Sequence, residues 1–85
     1  MRLDKYLKVS RIIKRRTIAN EACDAGRVLV NNKVARASYD VKVNDVIEIH
    51  FGSNVARYQV VNVAEHATKD SAGEMYRVIG SGDKQ

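Results

Sequence analysis

Arg2, Lys5, Lys8, Arg11, Lys14, Arg15 and Arg16 carry the main chemistry this sequence offers, which is repeated cationic contact with phosphate oxygens. A single acid, Asp4, lies among them. Leu3, Tyr6, Leu7, Val9, Ile12 and Ile13 are threaded between the charges. A basic tail that only solvates lacks such apolar groups. A signal-peptide start would run on into an unbroken apolar stretch, and none follows here. The stretch therefore reads as a folded, positively charged surface. Arg27 and Lys33 extend that surface, and Arg36 adds charge to the same hairpin.

Bond-making chemistry needs a constellation that these residues do not form. His50 falls in an apolar strand and His66 at a loop edge. With Cys23 they lack the spacing of a metal site, so neither metal nor cofactor is expected. Cys23 on the inner stripe of a helix reads as a small buried hydrophobe rather than a nucleophile. Gly52, Gly73, Gly80 and Gly82 match neither phosphate-cradling glycine pattern. Asp45 and Glu48 read as turn and strand residues rather than an acid/base pair. The expectation is a protein without catalytic residues.

The elements that position the cations follow from pattern and charge. Residues 1–36 hold ten Lys/Arg and three acids, for +7, while residues 37–85 hold five and seven, for −2. Such an uneven field steers a polyanion to one face. Eighty-five residues imply one domain, placed over residues 1–80, with a frayed tail at 81–85. The single Cys fits a reducing cytoplasm, and no apolar run approaches the roughly twenty residues of a membrane span.

Leu3, Tyr6 and Leu7 predict a helix over residues 3–9, with Asp4 favourable to its dipole. Their spacing favours a core role for Tyr6 over base stacking. Ile18, Ala19, Ala22 and Cys23 make the inner stripe of a second helix over residues 17–25. Gly26 suits its left-handed end. Its start lacks an obvious cap, with Arg15, Arg16 or Thr17 in the place where Ser, Thr, Asn or Asp is preferred. Arginines at a helix N-terminus strengthen its attraction for phosphate.

After Gly26 the period changes to two. Strands are expected over residues 27–30, 33–36, 46–51, 55–63 and 75–79. Asn31-Asn32 and Gly52-Ser53-Asn54 supply tight turns, and residues 64–74 form a loop. The fold class is α+β: two short N-terminal helices, then about five mostly antiparallel strands.

These residues resemble a known family. Arg2-Leu3-Asp4-Lys5-Tyr6-Leu7, Arg11, Lys14-Arg15-Arg16-Thr17-Ile18-Ala19, Ala25-Gly26-Arg27-Val28-Leu29-Val30-Asn31-Asn32-Lys33 and Val41-Lys42-Val43-Asn44-Asp45-Val46-Ile47 look like the RNA-binding domain named after ribosomal small-subunit protein four. The resemblance covers about residues 1–50. Asn32 and Asn44 stand where that family has Gly, and Arg15 replaces a small hydroxyl residue. The whole length is similar to the RqcP (YabO) group, small relatives of heat-shock protein fifteen. That resemblance implies binding to rRNA of the large ribosomal subunit and to peptidyl-tRNA on stalled subunits. It implies stabilising P-site tRNA while alanine is added without a template, with RqcH as partner. It also implies a cytoplasmic, ribosome-associated protein, monomeric off the ribosome. Arg2 and Arg16 match basic positions of the family. A general rRNA factor for subunit assembly or recycling, an RNA-modifying enzyme fragment and a DNA-binding module are the rival readings.

Overall fold

The computed structural model describes residues 1–64 and 72–82. Helices α1 (Leu3–Val9) and α2 (Arg16–Asp24) precede β1 (Val28–Val30), β2 (Lys33–Val34), β3 (Val46–Phe51), β4 (Asn54–Val60) and β5 (Tyr76–Gly82). The strands form one sheet in the order β2-β1-β3-β4-β5, with every neighbouring pair antiparallel. The expected α+β class holds.

Helix α1 forms because Leu3, Tyr6 and Leu7 fall on one side of it, and all three are fully buried. Its first N–H groups find partners outside the helix. Leu3 N–H donates to the Tyr39 carbonyl (2.8 Å) and Asp4 N–H to that of Ala37 (3.2 Å). Lys5 N–H donates to Asp4 Oδ1 at 2.8 Å. The chain after β2 thus leaves the sheet to cover the start of α1, so β2 stops at Val34 rather than at Arg36. At the other end Arg11 takes φ 65°, which turns Ile13 back into the core. Ile13 N–H then donates to the Leu7 carbonyl at 3.0 Å.

Helix α2 starts from Arg15, an extended N-cap with no side-chain hydrogen bond. Thr17 lies inside the helix and does not cap it. The far end closes on Gly26 at φ 75°, with Gly26 N–H on the Cys23 carbonyl and Arg27 N–H on that of Ala22, both at 3.0 Å. The buried stripe is narrower than expected. Ala19 and Cys23, one turn apart and small, let α2 lie close on its neighbours, while Ile18 is left 49% exposed.

In the sheet, Val28, Val30, Ile47, Ile49 and Val60 face the helices and are buried. Asn31 (φ 53°) and Asn32 (φ 70°) form the β1–β2 turn, which needs positive φ at both positions. Asn44, at φ 78°, likewise takes the left-handed geometry that Gly would give. Strand β4 ends at Val60 instead of Val63 because Val61 N–H and Asn62 N–H both donate to the Met75 carbonyl (2.8 and 3.1 Å). Tyr6 Oη donates to that same oxygen at 2.6 Å. Strand β5 continues through Gly82, opposite Val55, so residues 81 and 82 of the expected tail are paired rather than frayed. Most of the expected 64–74 loop, with His66, and residues 83–85 of the expected tail lie outside the described residues.

Candidate nucleic-acid interface

The basic residues are organised by the one acid among them. Asp4, in the first turn of α1, has a side chain only 3% exposed. Arg2 Nε and Nη2 reach its carboxylate at 3.2 and 3.4 Å. Arg16 Nε and Nη2 reach it at 3.3 and 3.5 Å from the start of α2. Asn20, one turn further along α2, donates Nδ2 at 3.3 Å. Burial raises the pKa of Asp4, but the hydrogen bonds from Arg2, Asn20 and Arg16 outweigh it and hold the carboxyl below its ordinary 3.8.

Each guanidinium turns its Nε/Nη2 edge inward. A guanidinium carries five N–H groups in a planar fork, so each retains donors for an outside acceptor. The two side chains are 52% and 47% exposed. One buried carboxylate thus fixes two outward-facing phosphate-type forks side by side. The adjacent N-terminus of α2 has no side-chain cap and no acid in its first turn, so its backbone N–H groups add to the same attraction.

The remaining predicted cations fall into separate places. Lys8, Arg11 and Lys14 line one hollow of about 280 Å³ between the end of α1 and the following loop. None of the three side chains hydrogen-bonds or ion-pairs with a described residue. Lys5 is half-buried on α1, and Arg15 is exposed at the α2 N-cap. Arg27 and Lys33 border different hollows. Arg27 borders one with Ile18 and Glu21 at the end of α2. Lys33 borders another, of about 670 Å³, with Arg36 and Tyr39.

The sequence reasoning missed Asp4 as the organising residue, and with it Asn20. The available signal was an acid alone among seven cations, together with Arg16 and Asn20 four residues apart on one helix face.

The residues considered for other chemistry are engaged structurally. Cys23 is buried, and burial pushes its thiol up to about 11, which keeps it protonated and poorly nucleophilic. Tyr6 is fully buried and cannot stack on a base. Asp45 and Glu48 do not pair. Asp45 accepts from Asn31 Nδ2 and Tyr39 Oη, both at 3.1 Å. Glu48 projects from the sheet face away from the helices, where it holds His50 Nε2 at 2.6 Å and Arg57 Nε at 2.9 Å. Among the described residues, no group of three His, Cys, Asp or Glu side chains could hold a metal ion. No described helix is long and apolar enough to cross a membrane.

Comparison with known proteins places this geometry. Residues 1–47 match the S4 domain. The chain is 52% identical over 79 residues to the RQC P-site tRNA stabilizing factor of Streptococcus pneumoniae, covering 93% of this chain and 90% of that one. It is 46% identical over 79 residues to the protein of the same name from Bacillus subtilis, covering 93% and 92%. Its fold superposes on the trimeric structure of Vibrio cholerae heat shock protein 15 with a TM-score of 0.83 at 25% identity, covering 92% of this chain and 80% of that one. A matched S4 domain bearing the paired arginines, and near-full-length identity of about half, show that the chain belongs to the RQC P-site tRNA stabilizing factor family of S4-domain proteins.

Proposed function

We propose that the chain is a non-enzymatic RNA-binding factor of ribosome-associated quality control. It binds rRNA of the large ribosomal subunit and peptidyl-tRNA on stalled subunits. It stabilises P-site tRNA during template-free alanine tailing with RqcH. It works in the cytoplasm and is monomeric off the ribosome. The observation that carries this reading is the pair of half-exposed guanidiniums fixed on one buried carboxylate, in a chain whose relatives bear that name. Arg2 and Arg16 make the principal phosphate contacts. Lys5, Lys8, Arg11, Lys14 and Arg15 surround them, with Arg27 and Lys33 further out.

Charge reversal tests the assignment. Arg16→Glu removes one fork and repels phosphate, so co-sedimentation with large subunits at moderate salt should drop by at least about tenfold in affinity. Unchanged recovery would mean that the RNA lies elsewhere. Requirement for a bound peptidyl-tRNA separates the quality-control role from general subunit assembly or recycling, in which empty subunits would bind equally well.

A further inference from the structure

Beyond the paired arginines, the 670 Å³ hollow beside β2 has a chemistry of its own. Its volume falls in the range of clefts that hold small ligands, roughly 300–1,000 Å³. Lys33 and Arg36 supply two cations, and neither side chain hydrogen-bonds or ion-pairs with a described residue. No carboxylate side chain lines it. Val34, which also lines it, is 62% exposed, an apolar surface left open between two cations. Its polar walls are held in place. Asn31 Nδ2 and Tyr39 Oη are both bonded to Asp45, and Asn31 Oδ1 accepts from Val46 N–H at 3.1 Å.

The hollow also adjoins the arginine pair. Ala37 and Tyr39 carry the carbonyls that accept from the first N–H groups of α1, next to Asp4 and Arg2. Arg2 itself forms a backbone bridge with Asp40. Tyr39, which lines the hollow, is therefore tied by backbone to the residue that follows Arg2. A ligand that matches the hollow must be flat and apolar at one end and anionic at the other.

We infer that this hollow takes a single unpaired nucleotide of a folded RNA, with its base against Val34, Ala35 and Tyr39 and its phosphate between Lys33 and Arg36. The inference rests on the RNA-binding reading above and gives it a readout for one extruded base, which duplex geometry alone does not offer.

The test uses the full chain and two RNA hairpins, one fully paired and one with a single bulged 2-aminopurine. The wild type should bind the bulged hairpin about tenfold more tightly and change its fluorescence. Val34→Ser and Arg36→Ala lie at exposed positions and leave the fold intact. Both should erase the preference while retaining the paired-hairpin affinity within about threefold. Arg16→Glu should weaken both hairpins. No preference in the wild type, or a preference that survives Val34→Ser and Arg36→Ala, overturns the nucleotide site while leaving the arginine interface standing. Equal binding of both hairpins by wild type and Arg16→Glu overturns the RNA interface and the nucleotide site with it.

Discussion

Asp4→Asn separates positioning from charge, because the two predict opposite results. The substitution removes the one acid of the basic stretch and raises the net charge by one from +5. Were the surface simply a cation field, RNA would bind more tightly. One added charge at a screened surface is worth at most about 1 kcal/mol. Against this, Asp4 now accepts four guanidinium contacts at 3.2–3.5 Å. Asn offers one oxygen, and its amide hydrogens face the cations. Both arginines then move freely and must be immobilised on binding, at about 0.5–1.5 kcal/mol each. The midpoint of the sum, about 2 kcal/mol, exceeds the charge gain by about 1 kcal/mol and predicts binding weakened roughly fivefold. Large-subunit co-sedimentation across a salt series reads this directly. Thermal unfolding confirms that the variant is folded at the assay temperature, since loss of the buried acceptor also costs about 1–3 kcal/mol. Affinity equal to or above that of the wild type in a folded Asp4→Asn protein would refute the positioning role.

Arg16→Lys keeps the charge but not the fork, and it should weaken large-subunit binding about tenfold. Arg11→Gly relieves the left-handed backbone at φ 65° and should raise stability by about 1 kcal/mol, or roughly 4–8 °C in Tm. The same change should flatten the salt dependence of RNA binding by about one phosphate contact, so stability and affinity move in opposite directions. Tyr6→Phe should cost only about 1 kcal/mol in denaturant unfolding, because the Met75 carbonyl still accepts from Val61 and Asn62 N–H. The folded pKa of Asp4 lies below 3.8, so its stabilisation is present above about that pH and is lost as pH falls through the folded value. The stability gap between wild type and Asp4→Asn should therefore narrow on acidification below pH 3.8.

The elements were legible where local pattern decides them. Leu3, Tyr6 and Leu7 marked α1, and Val46 to Phe51 marked β3, with the bounds later found. Asn31-Asn32 announced its own turn, because few other pairs tolerate two positive φ values. The errors came where a distant partner decides. Ile18 is as apolar as any core residue, yet the close approach of Ala19 and Cys23 excludes it. Val61 to Val63 continued the strand alternation, but the Met75 carbonyl captured the next two N–H groups. Gly80, Ser81 and Gly82 carry no apolar signal, yet β4 provides their ladder. At the site the cations themselves were visible as a group. Their division into a clamped pair, a three-cation hollow and a separate Lys33/Arg36 hollow was not. That division depends on Asp4 meeting residues 12 and 16 positions away on another helix.

The hydrogen bond from Tyr6 to Met75 spans 69 residues. It joins the first helix to the residue just before the last strand, so the core around α1 is not closed by the S4 segment alone. When the S4 segment of residues 1–47 has emerged, Tyr6 has no acceptor and Val60 and Met75 are missing from the core. The Asp4 clamp itself lies within residues 2–20, whereas the core that backs its helix is complete only once residue 75 has joined.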